Sequence, residues 1–155
     1  MNKKKIIIIT AIVLGLLLIV ATALGLSKYM ENKKIEAEKQ KIITIASDFT
    51  GAWYNYTKQT SPIYLTSIKP YMTNSFYEAT AYINTARPQD FEGQLPMVSS
   101  ILRTEIVTYN AENAEATVRL SSKEGSLKAK EYSVNILLEK TGKSWFVSQM
   151  GIFVE

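Results

Sequence analysis

Residues 113–154 read NAEATVRLSSKEGSLKAKEYSVNILLEKTGKSWFVSQMGIFV, and over 114–120 and 132–138 the apolar positions recur every second residue. Ala114, Ala116, Val118 and Leu120 alternate with Glu115, Thr117 and Arg119; within 128–139, Tyr132, Val134, Ile136 and Leu138 alternate with Ser133, Asn135 and Glu139. A period of two belongs to a strand with one face toward a core and one toward water. Residues 145–154 read as the last strand, and the Ile-, Val-, Thr- and Tyr-rich run 101–109 as the first. The connections at 110–113, 121–126 and 141–143 are short and turn-like, so consecutive strands are expected to pair antiparallel.

Upstream of this meander the period is helical. Ile42, Ile45, Ala46, Phe49, Ala52, Trp53 and Tyr56 fall at i, i+3, i+4, i+7 spacing, which predicts one apolar helix face. Ser61-Pro62 reads as a cap followed by proline at the first helical position, with Tyr64, Leu65 and Ile68 as the apolar side of a short helix. Lys69-Pro70 breaks it, because the residue before proline is pushed out of the α region. A third helix is expected over 70–85 with Met72, Phe76, Ala79 and Ile83 on one stripe; Arg87-Pro88 ends it and 89–96 reads as a loop. Helices first and a meander of about four strands afterwards make an α+β domain, with about three helices on one face of a curved antiparallel sheet.

The other end of the chain is different in kind. From Ile6 to Leu26 it reads IIIITAIVLGLLLIVATALGL, without charge, amide or proline. As a helix this stretch is roughly 31 Å long, about the thickness of a bilayer's hydrocarbon core. A retained transmembrane helix is expected here. A cleavable signal peptide is the first competitor, since Ala21-Thr22-Ala23 offers a small-x-small site, but the apolar run continues past it. A pilin-like N-terminus is the second, and the acidic residue such leaders carry just inside the apolar run is absent here.

Lys3, Lys4 and Lys5 abut the span and outweigh Lys28, Glu31, Lys33 and Lys34 beyond it, so the positive-inside rule places the N-terminus in the cytoplasm and the rest outside. A cytoplasmic C-terminal domain, its basic flank lying against anionic lipid, is the opposite orientation. Glu31–Lys34, Glu36–Lys39 and Glu38–Lys41 are helix-favouring pairs and predict a solvated stalk. The organisation expected is therefore a basic N-terminus at 1–5, a span at 6–26, a stalk at 27–41 and a domain at 42–155.

Composition then removes whole classes of chemistry. The chain of 155 residues has no His and no Cys, hence no Cys or His nucleophile, no Ser-His-Asp relay, no thiolate or imidazole zinc site and no disulfide. With 7 Gly and no glycine-rich phosphate loop, nucleotide chemistry is not expected. The formal charge of +4 does not mark a nucleic-acid binder. The first 41 residues hold 8 Lys against 3 Glu, whereas 42–155 hold 10 Lys and Arg against 11 Asp and Glu, so the domain carries no basic stripe. No cofactor, metal or catalytic residue is expected.

The aromatic helix end, the broken pair of short helices and the strand hairpin Gly142-Lys143-Ser144-Trp145-Phe146-Val147 resemble the nuclear-transport-factor-2-like cone fold. The stretch Ser61-Pro62-Ile63-Tyr64-Leu65, Ile68-Lys69-Pro70-Tyr71-Met72-Thr73 and Phe76-Tyr77 is similar to the matching segment of bacterial single-pass members of that superfamily. These include the inner-membrane scaffold subunits of type IV secretion and conjugation machines, the TcpC-like proteins, and membrane proteins associated with mammalian-cell-entry transport systems. The resemblance implies a membrane-anchored subunit that binds other envelope or secretion-machine subunits, or further copies of itself, through an extracytoplasmic domain.

The same fold implies two alternatives. A ligand-binding cone would hold a small apolar molecule or lipid, its pocket lined by Trp53, Tyr56, Tyr64, Tyr71, Phe76 and Trp145. Isomerase- or cyclase-like members resemble one another in using an Asp with His or Tyr inside the cone. Here His is absent and Asp48 and Asp90 are the only aspartates; Asp48 reads as a polar position on the outer helix face and Asp90 as a loop residue.

Overall fold

The computed structural model describes residues 3–55, 61–86 and 97–154. Helix α1 spans Lys3–Tyr54, α2 Ser61–Ile68 and α3 Asn74–Ala86, followed by strands β1 (Met97–Tyr109), β2 (Asn113–Glu124), β3 (Lys130–Thr141) and β4 (Ser144–Val154). The chain divides into two compact units, Met1–Glu38 and Lys39–Glu155. The first is helical throughout its described residues, with Lys33 Nζ lying 5.1 Å from the Tyr29 ring one turn away. Among the described residues no helix is long and apolar enough to cross a membrane. The span expected over 6–26 falls largely on positions whose side chains lie outside the described set.

The second unit is an α+β domain. Its strands follow the chain in the order β1-β2-β3-β4, every neighbouring pair antiparallel, as the turn-like connections imply. Asn110 Oδ1 accepts the backbone N–H groups of Glu112 (2.9 Å) and Asn113 (2.8 Å), which closes the first hairpin as an Asx turn. Gly142, at φ +63°, supplies the positive φ that the two-residue turn between β3 and β4 requires. The register sets Ala114 opposite Leu138, Ala116 opposite Ile136 and Val118 opposite Val134. All six are buried, with Leu120, Trp145 and Val147. On the reverse face Thr117 Oγ1 donates to Asn135 Oδ1 (2.8 Å), Asn135 Nδ2 to Glu115 Oε1 (3.3 Å), and Arg119 meets Glu131 (3.4 Å).

Strand β1 does not keep the period of two. Its register slips between Ile101 and Arg103 and again between Ile106 and Thr108, so Leu102 and Val107 are the extra residues of two bulges. The physical reason lies in the spacing. Ile101, Ile106 and Tyr109 all pack on the core, and intervals of five and three residues cannot share one face of a regular strand; each bulge restores the phase. The strand begins at Met97, four residues before the run the sequence marks.

α1 lies on this sheet through Ile42, Ala46 and Phe49, all fully buried, with Ile45, Ala52 and Trp53 flanking them. Ser47 Oγ and Thr104 Oγ1 share a 2.7 Å hydrogen bond, and the Ser99 N–H donates to Asn55 Oδ1 at 2.6 Å, so the helix end caps the edge of β1. Tyr56, the last residue of the expected stripe, lies outside the described residues.

The third helix differs from its sequence reading. It starts at Asn74 instead of residue 70, after a 3₁₀ turn at Lys69–Tyr71. Met72 is extended (φ −108°, ψ 150°) and forms a parallel bridge with Val147. Thr73 then caps α3, its Oγ1 accepting the Phe76 N–H at 3.3 Å. Within α3 Thr80 is buried and Ala79 exposed, so the inner side runs through Phe76, Tyr77 and Thr80. Ile83's side chain lies outside the described set.

Candidate functional site

The aromatic side chains expected to line a pocket fall into two groups. Trp53 of α1 and Phe76 of α3 stack nearly parallel, with centroids 6.4 Å apart and planes 6° from one another, and Phe49 tilts against both at 5.4 and 6.3 Å. This triad joins the two helices above the sheet. Trp145, at the start of β4, is buried against Tyr109 (6.1 Å), with Lys140 Nζ 5.4 Å from its centroid. Tyr71 packs on the same apolar cluster from the 3₁₀ turn. Tyr56 lies outside the described residues, as does the Tyr64 side chain. The four described aromatics thus pack into or against the core, each ring burying area as core rings do.

A different part of the domain is polar. Where the end of α1 meets the sheet, Tyr54 stacks on Tyr132 of β3 at 6.3 Å, and Ser99 of β1 pairs with Ser122 of β2. Among the described residues, three buried oxygens here and one turn back have no hydrogen-bond partner: Thr50 Oγ1, Tyr54 OH and Ser99 Oγ. Burial pushes the Tyr54 hydroxyl up to about 12, with the neighbouring Tyr132 adding to it. Next to this cluster a cleft of about 50 Å³ is lined by Ser122, Glu124, Leu127, Lys128, Lys130 and Tyr132. That volume admits a few waters and falls far short of the roughly 300 Å³ a small organic ligand needs.

Asp48 is exposed on the outer side of α1, where the sequence reading puts it, and Asp90 lies outside the described residues. An Asp base close to the desolvated Tyr54 hydroxyl is not among the described residues. The same residues hold no group of three or more Asp and Glu side chains placed to bind a metal ion.

The feature that the sequence reading missed is on the outer sheet face. Val98, Leu102 and Val107 of β1 are 62%, 53% and 56% exposed. The odd spacing of Ile101, Ile106 and Tyr109 was the available signal, since it forces bulges and bulges turn Leu102 and Val107 to water. Arg103 and Glu105 stand between them and form an ion pair with one another.

No protein-family model and no curated protein matches the chain. Solved structures do. A periplasmic fragment of TraM superposes with a TM-score of 0.62 at 7% identity, covering 76% of this chain and 98% of that one. The periplasmic domain of DotI gives 0.56 at 12%, over 74% and 94% of the two chains. CagV, a VirB8 homologue of the type IV secretion system from Helicobacter pylori strain 26695, gives 0.56 at 12%, over 75% and 98%. At such identities the likeness is one of fold. The chain shares its fold with these periplasmic and secretion-system proteins.

Proposed function

We infer that the chain is a single-pass, membrane-anchored assembly subunit whose domain stands outside the cytoplasmic membrane and binds protein partners in a conjugation, type IV secretion or cell-envelope assembly. The observation that carries this reading is the shared fold with TraM, DotI and CagV, which extends over about three quarters of the chain. Two features of the first unit support the anchor. The stretch 6–26 has no charge, and the side chains of Val20, Leu24 and Leu26 within it, with Tyr29 and Met30 just beyond, are exposed. Apolar side chains crowded onto one helix find a favourable surrounding in lipid. Lys3, Lys4 and Lys5 favour an inward N-terminus.

In this reading the work is done by position and surface. The span holds the chain in the membrane plane, and confinement to a plane raises the effective concentration of weak contacts. The domain contributes docking surface, because its described interior is filled by the apolar cluster of α1 and the sheet. Purification of the tagged full chain from detergent-solubilised envelopes after mild crosslinking tests the proposal. Other envelope subunits should co-purify; isolation of the chain without any of them would reject it.

A further inference from the structure

The sheet has two edges, and they differ in how they are guarded. Strand β1 carries Arg103 and Glu105, two bulges and the Asn55 cap, the usual means by which an edge strand is kept from pairing. Strand β4 has one bulge, at Ser148, between the pairs Leu138–Val147 and Leu137–Gln149. From Ser144 to Val154 it reads SWFVSQMGIFV, without charge or proline, and its β3 partners over Tyr132–Leu138 are uncharged as well. On the 3₁₀ turn and α3, which pack beside β4, the charges are Lys69, lying 4.7 Å from the Tyr77 ring, and the exposed Glu78.

The backbone of this edge is in use at one end. Met72 bridges Val147 in the parallel sense, and the Thr73 N–H donates to the Val147 carbonyl before the chain turns into α3. That outward carbonyl fixes the parity of the strand. Val147, Met150 and Ile152 pair with Leu138, Ile136 and Val134, alternate residues of β3, so all three turn their backbone N–H and C=O groups away from the sheet. At Met150 and Ile152 these groups have no partner among the described residues, and the adjoining Gln149 is exposed.

We propose that the β4 edge from Gln149 to Val154 receives an extended segment of a partner protein as a fifth strand, running parallel to β4 in line with Met72. The chemistry that fits is an uncharged segment rich in Val, Ile and Thr, because a charged side chain would be laid against a neutral strand. Main-chain hydrogen bonds supply the affinity and alternate side chains the specificity. The direction separates this occupant from the β4 of a second copy, which a two-fold axis would set antiparallel. The proposal rests on the assembly-subunit reading for the existence of a partner. It is tested on the purified chain, so its failure is distinct from a failure to co-purify.

The probe is a capped octapeptide of alternating Thr and Val, added to the full chain in detergent and followed by amide NMR. The Met150 and Ile152 amides should gain at least about tenfold protection from hydrogen exchange. A spin label at the peptide's N-terminus should broaden Gln149 more than Val154. Met150→Pro removes one outward N–H at an edge, where proline is tolerated, and should weaken binding about tenfold, whereas Met150→Val should bind as the parent does. The same peptide methylated at every backbone nitrogen should not bind, a control that holds whether or not the proline variant folds. No protection at about 1 mM peptide, binding that survives methylation, or broadening of Val154 ahead of Gln149 would overturn the proposal. So would protection of Met150 and Ile152 that grows with protein concentration in the absence of peptide, which would seat a second copy on the edge.

Discussion

The backbone N–H of Thr73 donates to the Val147 carbonyl at 2.9 Å, and with the Met72–Val147 bridge it fastens the break between α2 and α3 to β4. It explains why α3 starts where it does: Met72 is held extended by the strand, and Thr73 becomes the cap. Thr73→Ala removes the capping oxygen and should cost about 1 kcal/mol. In thermal unfolding that is a loss of about 4 °C for a domain of this size. Thr73→Ser, which keeps the oxygen, should lose less than half as much.

Asn55 secures the opposite edge, accepting the Ser99 N–H while its own Nδ2 donates to the Gly51 carbonyl at 2.8 Å. Asn55→Leu should leave the global stability within about 2 kcal/mol of the parent, the range for an N–H that loses its partner. Its local effect should be larger. Hydrogen exchange at the Ser99 amide should accelerate by at least tenfold relative to amides of β2 and β3, consistent with an edge that opens by itself.

Phe49 of α1 is fully buried, against Trp53 of the same helix and Phe76 of α3. Phe49→Ala should cost about 3–5 kcal/mol by loss of apolar contact and creation of a cavity. Trp53→Ala, at a half-buried position, should cost visibly less. Chemical denaturation of the two variants side by side checks the order.

Much of this arrangement was legible beforehand. The alternation at 114–120 and 132–138 gave the sheet faces, because both strands are paired on each side and keep their own period of two. The stripe Ile42–Ala46–Phe49 was legible for the same reason. What could not be read was long-range. The capture of Met72 by Val147 depends on a strand some seventy residues later, and it moved the start of α3. The bulges of β1 answer a packing demand of the core that β1's own alternation does not show. Aromatic residues were easy to mark and hard to assign, since Trp53 and Phe76 meet only once α1 and α3 are both placed.

Leu102 separates its roles as side chain and as spacer. Leu102→Ser should leave stability within about 0.5 kcal/mol, as an exposed position does. Deleting residue 102 removes the bulge but leaves an even interval between Ile101 and Ile106, so both still face the core and 103–109 keep their pairing with β2; it should cost far less than a one-residue slip of the whole strand would. Circular dichroism and thermal unfolding distinguish the two.

Tyr54 makes stability depend on alkaline pH. Its folded hydroxyl is raised to about 12 from an unfolded value near 10. The folded state therefore favours the protonated form. Its contribution is fully present below pH 10 and is lost as pH rises from 10 to 12, at no more than about 1.4 kcal/mol per pH unit. Tyr54→Phe should flatten that part of the decline. Because the hydroxyl has no partner among the described residues, the same substitution should be neutral or slightly stabilising at pH 7.

The central claim is an anchored subunit whose domain meets partners outside the cytoplasmic membrane. A single cysteine introduced as Lys143→Cys, in the exposed turn between β3 and β4 of a chain that has none of its own, tests it in intact cells. With a thiol crosslinker that cannot cross the cytoplasmic membrane, the chain should become joined to other subunits of the envelope assembly. Reaction only after lysis, or a chain that remains unjoined to any other protein, would contradict the account.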